Sequence, residues 1–363
     1  MFLKSIGNFR GLAIIIIVAG HMYSTGFTED DFLSSIIRNI ITGGTSLFVF
    51  ISGFMFHYVF FKRYDYKKFL TNKFKNVGIP YFILSTLAIT ISYVLPKGYF
   101  EPIEALTLNE ISILYADGAM FQPGEGTLST VIKYFLTGSA LVAYWYIPFA
   151  ILLFATAPLH IKFIKSDLKV QILSITLLSL ISIFAHRAVN GQNAIQDLIY
   201  FTPVYLIGIL VSIHSKKVKD LLENKIIILF LGVLSLSIIQ YMTGHQGNYH
   251  KPIFEYAGID LQYIQKLFLI FALYAAFEKY QFESRILDTI SNTSFAIFFI
   301  HPWITPVVDK VYKVAGVTPT EGENNIFLYC FSVIGVLSLS VFIALLTKKV
   351  FRESKNTRYL IGY

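Results

Sequence analysis

Long apolar segments recur along nearly the whole chain, and they restrict the folds open to it more than any other feature. An apolar run of roughly 18 residues or more can cross the ~30 Å hydrocarbon core of a membrane as an α-helix. Charged residues make up only 14% of the chain, whereas soluble globular proteins carry about 25%. The sequence therefore predicts an all-α, polytopic integral membrane protein of about ten transmembrane helices. The predicted spans are approximately 6–26, 36–61, 77–95, 136–160, 169–188, 198–214, 225–242, 261–278, 286–308 and 326–347.

The connections between these segments differ in their basic residues, which predicts the orientation of the chain. One set of connections, together with both termini, carries 21 Lys and Arg residues, and the alternate set carries seven. Because cytoplasmic loops are enriched in Lys and Arg, we expect both termini to be cytoplasmic. The net charge of +8 is spread over these loops, which favours contact with the lipid bilayer and argues against nucleic acid. The first segment has no small-residue cleavage site, so we expect it to be retained.

No linker, composition break or internal repeat divides the chain, so one membrane domain is predicted over residues 1–363. Its longest connection, about 96–135, carries five acidic residues and is long enough to cover a site. Two outer loops, TGHQGNYHKPIFEYAGID and DKVYKVAGVTPTEGENN, would suit a sugar-like acceptor or ordinary interfacial tyrosines. No spacing of His, Cys and carboxylates fits a metal site. Cys330 has no partner in the chain, and we expect it to be buried in the tenth span.

An ionisable pair stands in the first segment, where ten small or apolar residues separate Arg10 from His21. At 3.6 residues per turn, eleven residues complete three turns and about 20°, so both side chains lie on one helix face. The rise of 1.5 Å per residue places His21 about 16 Å above Arg10, near the bilayer midplane if Arg10 lies at the cytoplasmic surface. Ionisable groups at that depth usually face protein or a wet cavity, because a charge there costs at least ~2.5 kcal/mol.

Each member of the pair also has a purely structural interpretation. His21 would then be a neutral imidazole hydrogen-bonded between helices, and Arg10 a snorkelling anchor. The shared face and the ligand-sized offset favour a functional pair instead. Gly7, Gly11 and Gly20 of the same helix permit close approach of a neighbouring helix or a ligand.

Four further segments follow the Arg-x10-His pattern in order. They are GGTSLFVFISGFMF, KFLTNKFKNVGIPYF, AYWYIPFAILLF and SNTSFAIFFIHPWI. Together the five segments resemble the motifs of the acyltransferase-3 family of integral membrane acyltransferases, over spans one to nine. The chain departs from the family pattern at Lys73 and Lys75, which stand where arginines are common and lack the bidentate guanidinium fork. The short N-terminus and FKNVGIPYF also resemble members that act on secreted poly-N-acetylglucosamine, for which succinyl is an alternative to acetyl.

The resemblance implies transfer of an acyl group, usually acetyl, from cytoplasmic acyl-CoA to a hydroxyl of an envelope glycan, in the plasma membrane of a bacterium. Acetyl-CoA is then the expected donor, and a polysaccharide or lipid-linked glycan at the outer face is the acceptor. Arg10, Lys73 and Lys75 would hold the donor phosphates at the cytoplasmic mouth. His21, paired with Arg10, would act as general base, because an unperturbed imidazole titrates near pH 6.5. Both direct transfer and an acyl-histidine intermediate fit this arrangement.

Four residues are candidates for substrate contact, each with a structural alternative. Ser52, beside Gly53, would stabilise an oxyanion or serve small-residue helix packing. Trp145 and Tyr146 would stack on a sugar or on the pantetheine arm, or pack among other aromatic rings. His301 precedes Pro302, which is expected to kink the ninth span, and would bind the acceptor or serve the fold.

Two charged candidates belong to the second span. Arg38, near its outer end, would hold a carboxylate or a sugar hydroxyl, or anchor the helix at the interface. His57, toward its cytoplasmic end, would lie near the CoA channel and contact the donor.

A glycan transporter or flippase is the competing function, since ten spans and a polar pair would also suit it. Transporters often have symmetric halves, and the second half of this chain has no matching arginine and histidine. A purely anchoring protein would leave the Arg10 and His21 pair without a purpose.

Overall fold

The computed structural model describes residues 3–94, 121, 126–320, 322–351 and 357–362. Sixteen α-helices lie in these ranges, with short 3-10 and π turns and two isolated β-bridges. The all-α membrane fold predicted by the apolar segments is confirmed. The acidic connection predicted at about 96–135 falls largely outside the described residues. The helices are α1 Lys4–His21, α2 Phe32–Ile41, α3 Thr45–Met55, α4 Tyr66–Lys73, α5 Ile79–Val94, α6 Thr127–Thr137, α7 Tyr146–Ala155, α8 Ala157–Lys165, α9 Leu168–Ala185, α10 Ala194–Ile213, α11 Ser215–Leu222, α12 Ile226–Met242, α13 Leu261–Lys279, α14 Arg285–Ala315, α15 Ile326–Val350 and α16 Thr357–Ile361.

Five helical segments of the described residues are long and apolar enough to cross a membrane, and up to seven if each bent helix pair counts as one span. α1, α13 and α14 are not among them, because ionisable residues such as Arg10 and Lys266 lower their hydropathy. Ten spans therefore stay a prediction. The five segments are Phe32–Arg63, Tyr66–Ser92, Leu168–Ala185, Ala194–Ile213 and Ile326–Val350.

Several predicted spans differ in shape from straight helices. The first ends at His21 rather than at residue 26, and the second is divided at residues 42–44. In the fourth, α7 and α8 meet at 54°, because Pro158 at the start of α8 has no N–H to donate to the preceding turn. The ninth continues to Ala315 as one helix that contains Pro302.

The two ends of the helix bundle carry different connections. α1 and α14 run parallel, since Lys4 Nζ lies 2.6 Å from Asp288 Oδ1 near the start of both helices. This end, which has the Lys- and Arg-rich connections, is called the basic end, and the positive-inside rule predicts that it is cytoplasmic. The other end, which includes residues 22–31, 186–193 and 243–260, is called the opposite end.

Glycines allow two helix pairs to touch through their backbones. A Cβ on Gly11 of α1 would lie 2.7 Å from the side chain of Leu287 in α14. A Cβ on Gly53 of α3 would lie 2.0 Å from the carbonyl oxygen of Tyr205, and one on Gly208 of α10 would lie 2.1 Å from that of Phe50. At Gly53 and Gly208 the atoms met are backbone oxygens, so no larger side chain fits there, and Gly53 serves the packing of α3 on α10.

The interruption between α2 and α3 is held by polar side chains of α13. Lys266 Nζ donates to the carbonyl oxygens of Asn39 at 3.0 Å and Ile40 at 2.7 Å. Gln265 Nε2 donates to the same Asn39 carbonyl at 3.0 Å, and Gln262 Nε2 donates to Thr42 Oγ1 at 2.9 Å. Because a lipid interior offers no water to carbonyls at a helix end, these donors make the interruption tolerable.

A second set of hydrogen bonds joins the first and last long helices at the opposite end. Asn325 N donates to the Gly26 carbonyl at 2.7 Å, and Asn324 Nδ2 donates to the Glu29 carbonyl at 3.0 Å. Tyr329 Oη donates to the carbonyl of Ala19 at 3.2 Å. We call residues 26–31 and 324–325, with these hydrogen bonds, the clasp.

Cys330 is exposed, so the prediction that it is buried was wrong. α15 packs on α14 through one side and turns the other outward, where Phe327 and Phe331 are also exposed. A helix at the edge of a membrane bundle presents such a face to lipid, which the apolarity of the segment alone does not distinguish from burial.

The backbone contact between α3 and α10 predicts a stability defect for Gly208→Ala. The added methyl group meets the Phe50 carbonyl, and overpacking of this kind costs about 1–3 kcal/mol or more. We expect a lower melting temperature of the purified protein in detergent. Gly335→Ala in α15, where a Cβ meets nothing within 4 Å, is the matched control and is expected to be neutral or slightly stabilising. Equal melting of the two variants would contradict the close contact.

Candidate functional site

Arg10 and His21 both contact α14. Arg10 Nε donates to Ser291 Oγ at 3.3 Å, and the His21 ring lies 5.3 Å, centroid to centroid, from the His301 ring. α1 is unbroken between them, so they stand about 16 Å apart along one helix face. Both side chains are half-buried. The pair is therefore turned toward a neighbouring helix, while its predicted catalytic role stays a prediction.

His301 is held in a defined tautomer by its own helix. Its ring is fully buried, and Nδ1 lies 2.8 Å from the Ile297 carbonyl oxygen. A carbonyl only accepts, so Nδ1 carries the proton and Nε2 of the neutral ring has a free lone pair. Nε2 has no hydrogen-bond partner within the described residues.

An aromatic wall continues from the two histidines. The Phe298 ring lies 6.3 Å from His301 and 5.6 Å from Tyr146. The hydroxyl groups of Tyr146 and Ser52 interact, so these two predicted contact residues, on α7 and α3, come together. Both keep partly accessible side chains. The structure thus brings His21, His301, Tyr146 and Ser52 to one region.

Trp145 faces a partner that the sequence analysis did not identify. The Arg187 guanidinium carbon lies 4.7 Å from the centre of the Trp145 ring. Gly191, with φ of +68°, packs against the same ring, where a Cβ would lie 2.6 Å from Cγ. The ring is therefore engaged within the protein, which favours the packing alternative over a sugar platform.

Arg187 also lies within electrostatic range of His21. In the sequence it counts only as one of seven basic residues of the sparsely basic connections. Basic residues are scarce in these connections, and the positive-inside rule does not require an arginine there. That scarcity could have marked Arg187 as a candidate.

Two of the predicted charged contacts are engaged elsewhere. Arg38 Nη1 lies 2.8 Å from Asp30 Oδ2, and its guanidinium carbon lies 5.4 Å from the centre of the Tyr23 ring. His57 Nδ1 lies 2.9 Å from Ser212 Oγ of α10. These contacts favour structural roles for Arg38 and His57. No described contact joins either residue to His21.

The basic end has two concave regions along α4. A cleft of about 590 Å³ is lined by Arg63, Asp65, Lys67, Lys68, Thr71 and Asn72. A smaller apolar cavity of about 340 Å³ lies beside it and includes Lys73. The Lys73 ammonium stands 4.6 Å from the centre of the Phe154 ring and 5.0 Å from that of Phe60. Lys75 is exposed on the following π-helical turn.

The positive charge that borders the cleft therefore comes mainly from α4. The sequence analysis did not name Arg63, Lys67 and Lys68 as donor contacts. Among the described residues, no group of three or more His, Cys, Asp or Glu side chains is arranged to hold a metal ion.

Comparison with known proteins identifies the family of the chain. The model of a family described as "Acyltransferase domain", acyltransferase family 3, matches residues 3–345. No curated protein and no solved structure matches the chain. The family match covers nearly the whole chain, including both histidines, Arg10 and the basic cleft. The chain therefore belongs to the acyltransferase-3 family and is a membrane acyltransferase.

Proposed function

We propose that this protein moves an acetyl group from cytoplasmic acetyl-CoA to a hydroxyl of a glycan at the outer face of a bacterial plasma membrane. The observation that carries the proposal is the contact between His21 and His301, which puts a second imidazole beside the predicted base. Arg10 on the same helix face links this histidine pair to the basic end. The family match supports acyl transfer over the competing transporter function.

The donor side of the proposal rests on the charge of the basic end. CoA carries several phosphate charges and cannot cross a membrane, whereas its acyl-pantetheine arm is thin. The cleft lined by Arg63, Lys67 and Lys68 is large enough for part of a nucleotide and has the matching charge. Lys73, in the neighbouring cavity, and Arg10 continue the positive charge toward the interior.

The chemical step uses His21 as the base. His21 takes the proton of the acceptor hydroxyl while its oxygen attacks the thioester carbonyl. The new C–O ester bond forms, the C–S bond breaks, and the CoA thiolate takes the proton back from the imidazolium. The Nε2 lone pair of His301 beside His21 stabilises the transient positive charge on that ring. Direct transfer needs no second ester on the protein, so we propose it over an acyl-histidine intermediate.

Loss of His21 is expected to remove the donor reaction. Purified His21→Ala in detergent should release free CoA thiol from acetyl-CoA about 10²- to 10⁴-fold more slowly than wild type, which is the usual contribution of a general base. His301→Gln should slow thiol release less than His21→Ala does. It leaves the base in place and keeps a polar group beside it, and removes only the imidazole lone pair. The measurement is thiol release with and without added glycan.

The matched control for these variants is His245→Ala, an exposed histidine of the opposite end. It should retain wild-type turnover, and all variants should melt near the wild-type temperature. Undiminished thiol release by a folded His21→Ala protein would exclude His21 as the base.

The basic cleft predicts a change in donor affinity rather than in the chemical step. Replacing Lys67 and Lys68 together by Ala should raise KM for acetyl-CoA several-fold and leave kcat unchanged, because two exposed charges each contribute up to about 1 kcal/mol. The effect should shrink at high salt. Lys216→Ala with Lys217→Ala, two exposed lysines of another basic-end helix, is the control. Acetyl-dephospho-CoA tests the 3′-phosphate, and an unchanged KM in the α4 variant would exclude the cleft.

A further inference from the structure

Three polar side chains lie close together at the opposite end, one of them over the Trp145 ring, and the proposed reaction does not use them. They are Arg187, which follows α9, Asp197 in the first turn of α10, and His250 of the connection between α12 and α13. We call these three residues the Arg187 cluster. All three lie outside the motifs that the sequence analysis singled out.

Backbone hydrogen bonds fix the cluster in place. Arg187 N donates to the Tyr249 carbonyl at 3.3 Å, and Lys251 N donates to the Arg187 carbonyl at 3.2 Å. This pairing makes Arg187 and His250 the two members of a parallel β-bridge, so their side chains project on the same side. Asp197 Oδ1 accepts from Ala188 N at 3.1 Å, which brings the carboxyl group to the same turn.

The cluster has hydrogen-bonding capacity that nothing in the described residues uses. Arg187 is 5% exposed and Asp197 is 0% exposed. Arg187 Nε and Asp197 Oδ2 are buried and have no hydrogen-bond partner there, and the two groups form no ion pair with each other within 4 Å. A buried polar group without a partner costs about 1–3 kcal/mol. Two such groups at one turn indicate a place built to receive a polar partner.

The cluster is open on one side and close to His21 on the other. His250 is exposed at the opening, paired through its backbone with the buried Arg187. A neutral imidazole there can both donate and accept. Trp145 is partly accessible, and Arg187 lies within electrostatic range of both His250 and His21.

We propose that the Arg187 cluster is the binding subsite for a neutral sugar unit of the acceptor, holding two of its neighbouring hydroxyl groups. This rests on the proposed function, of which it specifies the acceptor side. Arg187 donates to one hydroxyl oxygen, Asp197 Oδ2 accepts from the other hydroxyl, and His250 closes the opening. A carboxylate-bearing sugar is disfavoured because a carboxylate has no proton to donate to the buried Asp197 Oδ2.

The test is sugar binding followed by the fluorescence of Trp145. The chain has two tryptophans, so Trp303→Phe leaves Trp145 as the one reporter in purified protein. The probes are the methyl glycosides of glucose, galactose and N-acetylglucosamine, with methyl glucuronide as the charged comparison. We expect at least one neutral glycoside to change the emission in a saturable way and to bind more tightly than the glucuronide.

Two substitutions connect this binding to the cluster. Arg187→Lys keeps the charge but loses the planar guanidinium fork. His250→Ala changes an exposed residue, so this substitution does not threaten folding. Each should weaken glycoside binding about tenfold, as expected for one lost hydrogen bond to a charged or oriented group. His245→Ala, at the same end of the protein, is the matched control and should bind as the reference protein does.

Three results would overturn the subsite. They are no emission change with any neutral glycoside, wild-type binding by both cluster variants, and tighter binding of the glucuronide. Turnover of acetyl-CoA by the same preparation separates the two proposals. If thiol release is normal and glycoside binding fails, the subsite alone is wrong, whereas absence of both would remove the proposed function as well.

Discussion

The structure depends on satisfying backbone groups where a helix is interrupted inside an apolar surrounding. Lys266 and Gln265 do this for the carbonyl groups that end α2, because no water is available there. The interruption packs on α1 just below His21: a Cβ on Gly44 would lie 3.1 Å from Ile16, and one on Gly20 would lie 3.5 Å from the Ile41 carbonyl. The donors on α13 therefore also fix the backbone that surrounds the candidate base.

The site is built along one long helix and has two differently charged ends. α14 supplies the partner of Arg10 at one level and the partner of His21 ten residues later, so the spacing of both pairs is set by one helix. Positive charge gathers on α4 at the basic end, and the Arg187 cluster offers mixed donors and acceptors at the opposite end. This arrangement suits two substrates that differ in charge and approach from different sides.

Local periodicity predicted the features that depend on a single helix. It did not predict the contacts between segments that are distant along the chain. The common face of Arg10 and His21 follows from 3.6 residues per turn, and the all-α membrane fold follows from apolar length. The contact between His21 and His301 joins residues 280 positions apart, which no spacing encodes. Arg187 looked like a loop charge because its neighbour Trp145 comes from a distant part of the sequence. Cys330 was misjudged because lipid-facing and buried helix faces are equally apolar.

The clasp between Gly26 and Asn325 has a consequence for how a long substrate could enter the protein. It closes the seam between the first and last long helices directly above His21, with three hydrogen bonds of 2.7–3.2 Å to the carbonyl oxygens of Gly26, Glu29 and Ala19. A long polymer cannot thread through that seam without breaking them. A strand that reaches the histidine from this side must therefore come by a route other than this seam, so the fold narrows the directions of approach.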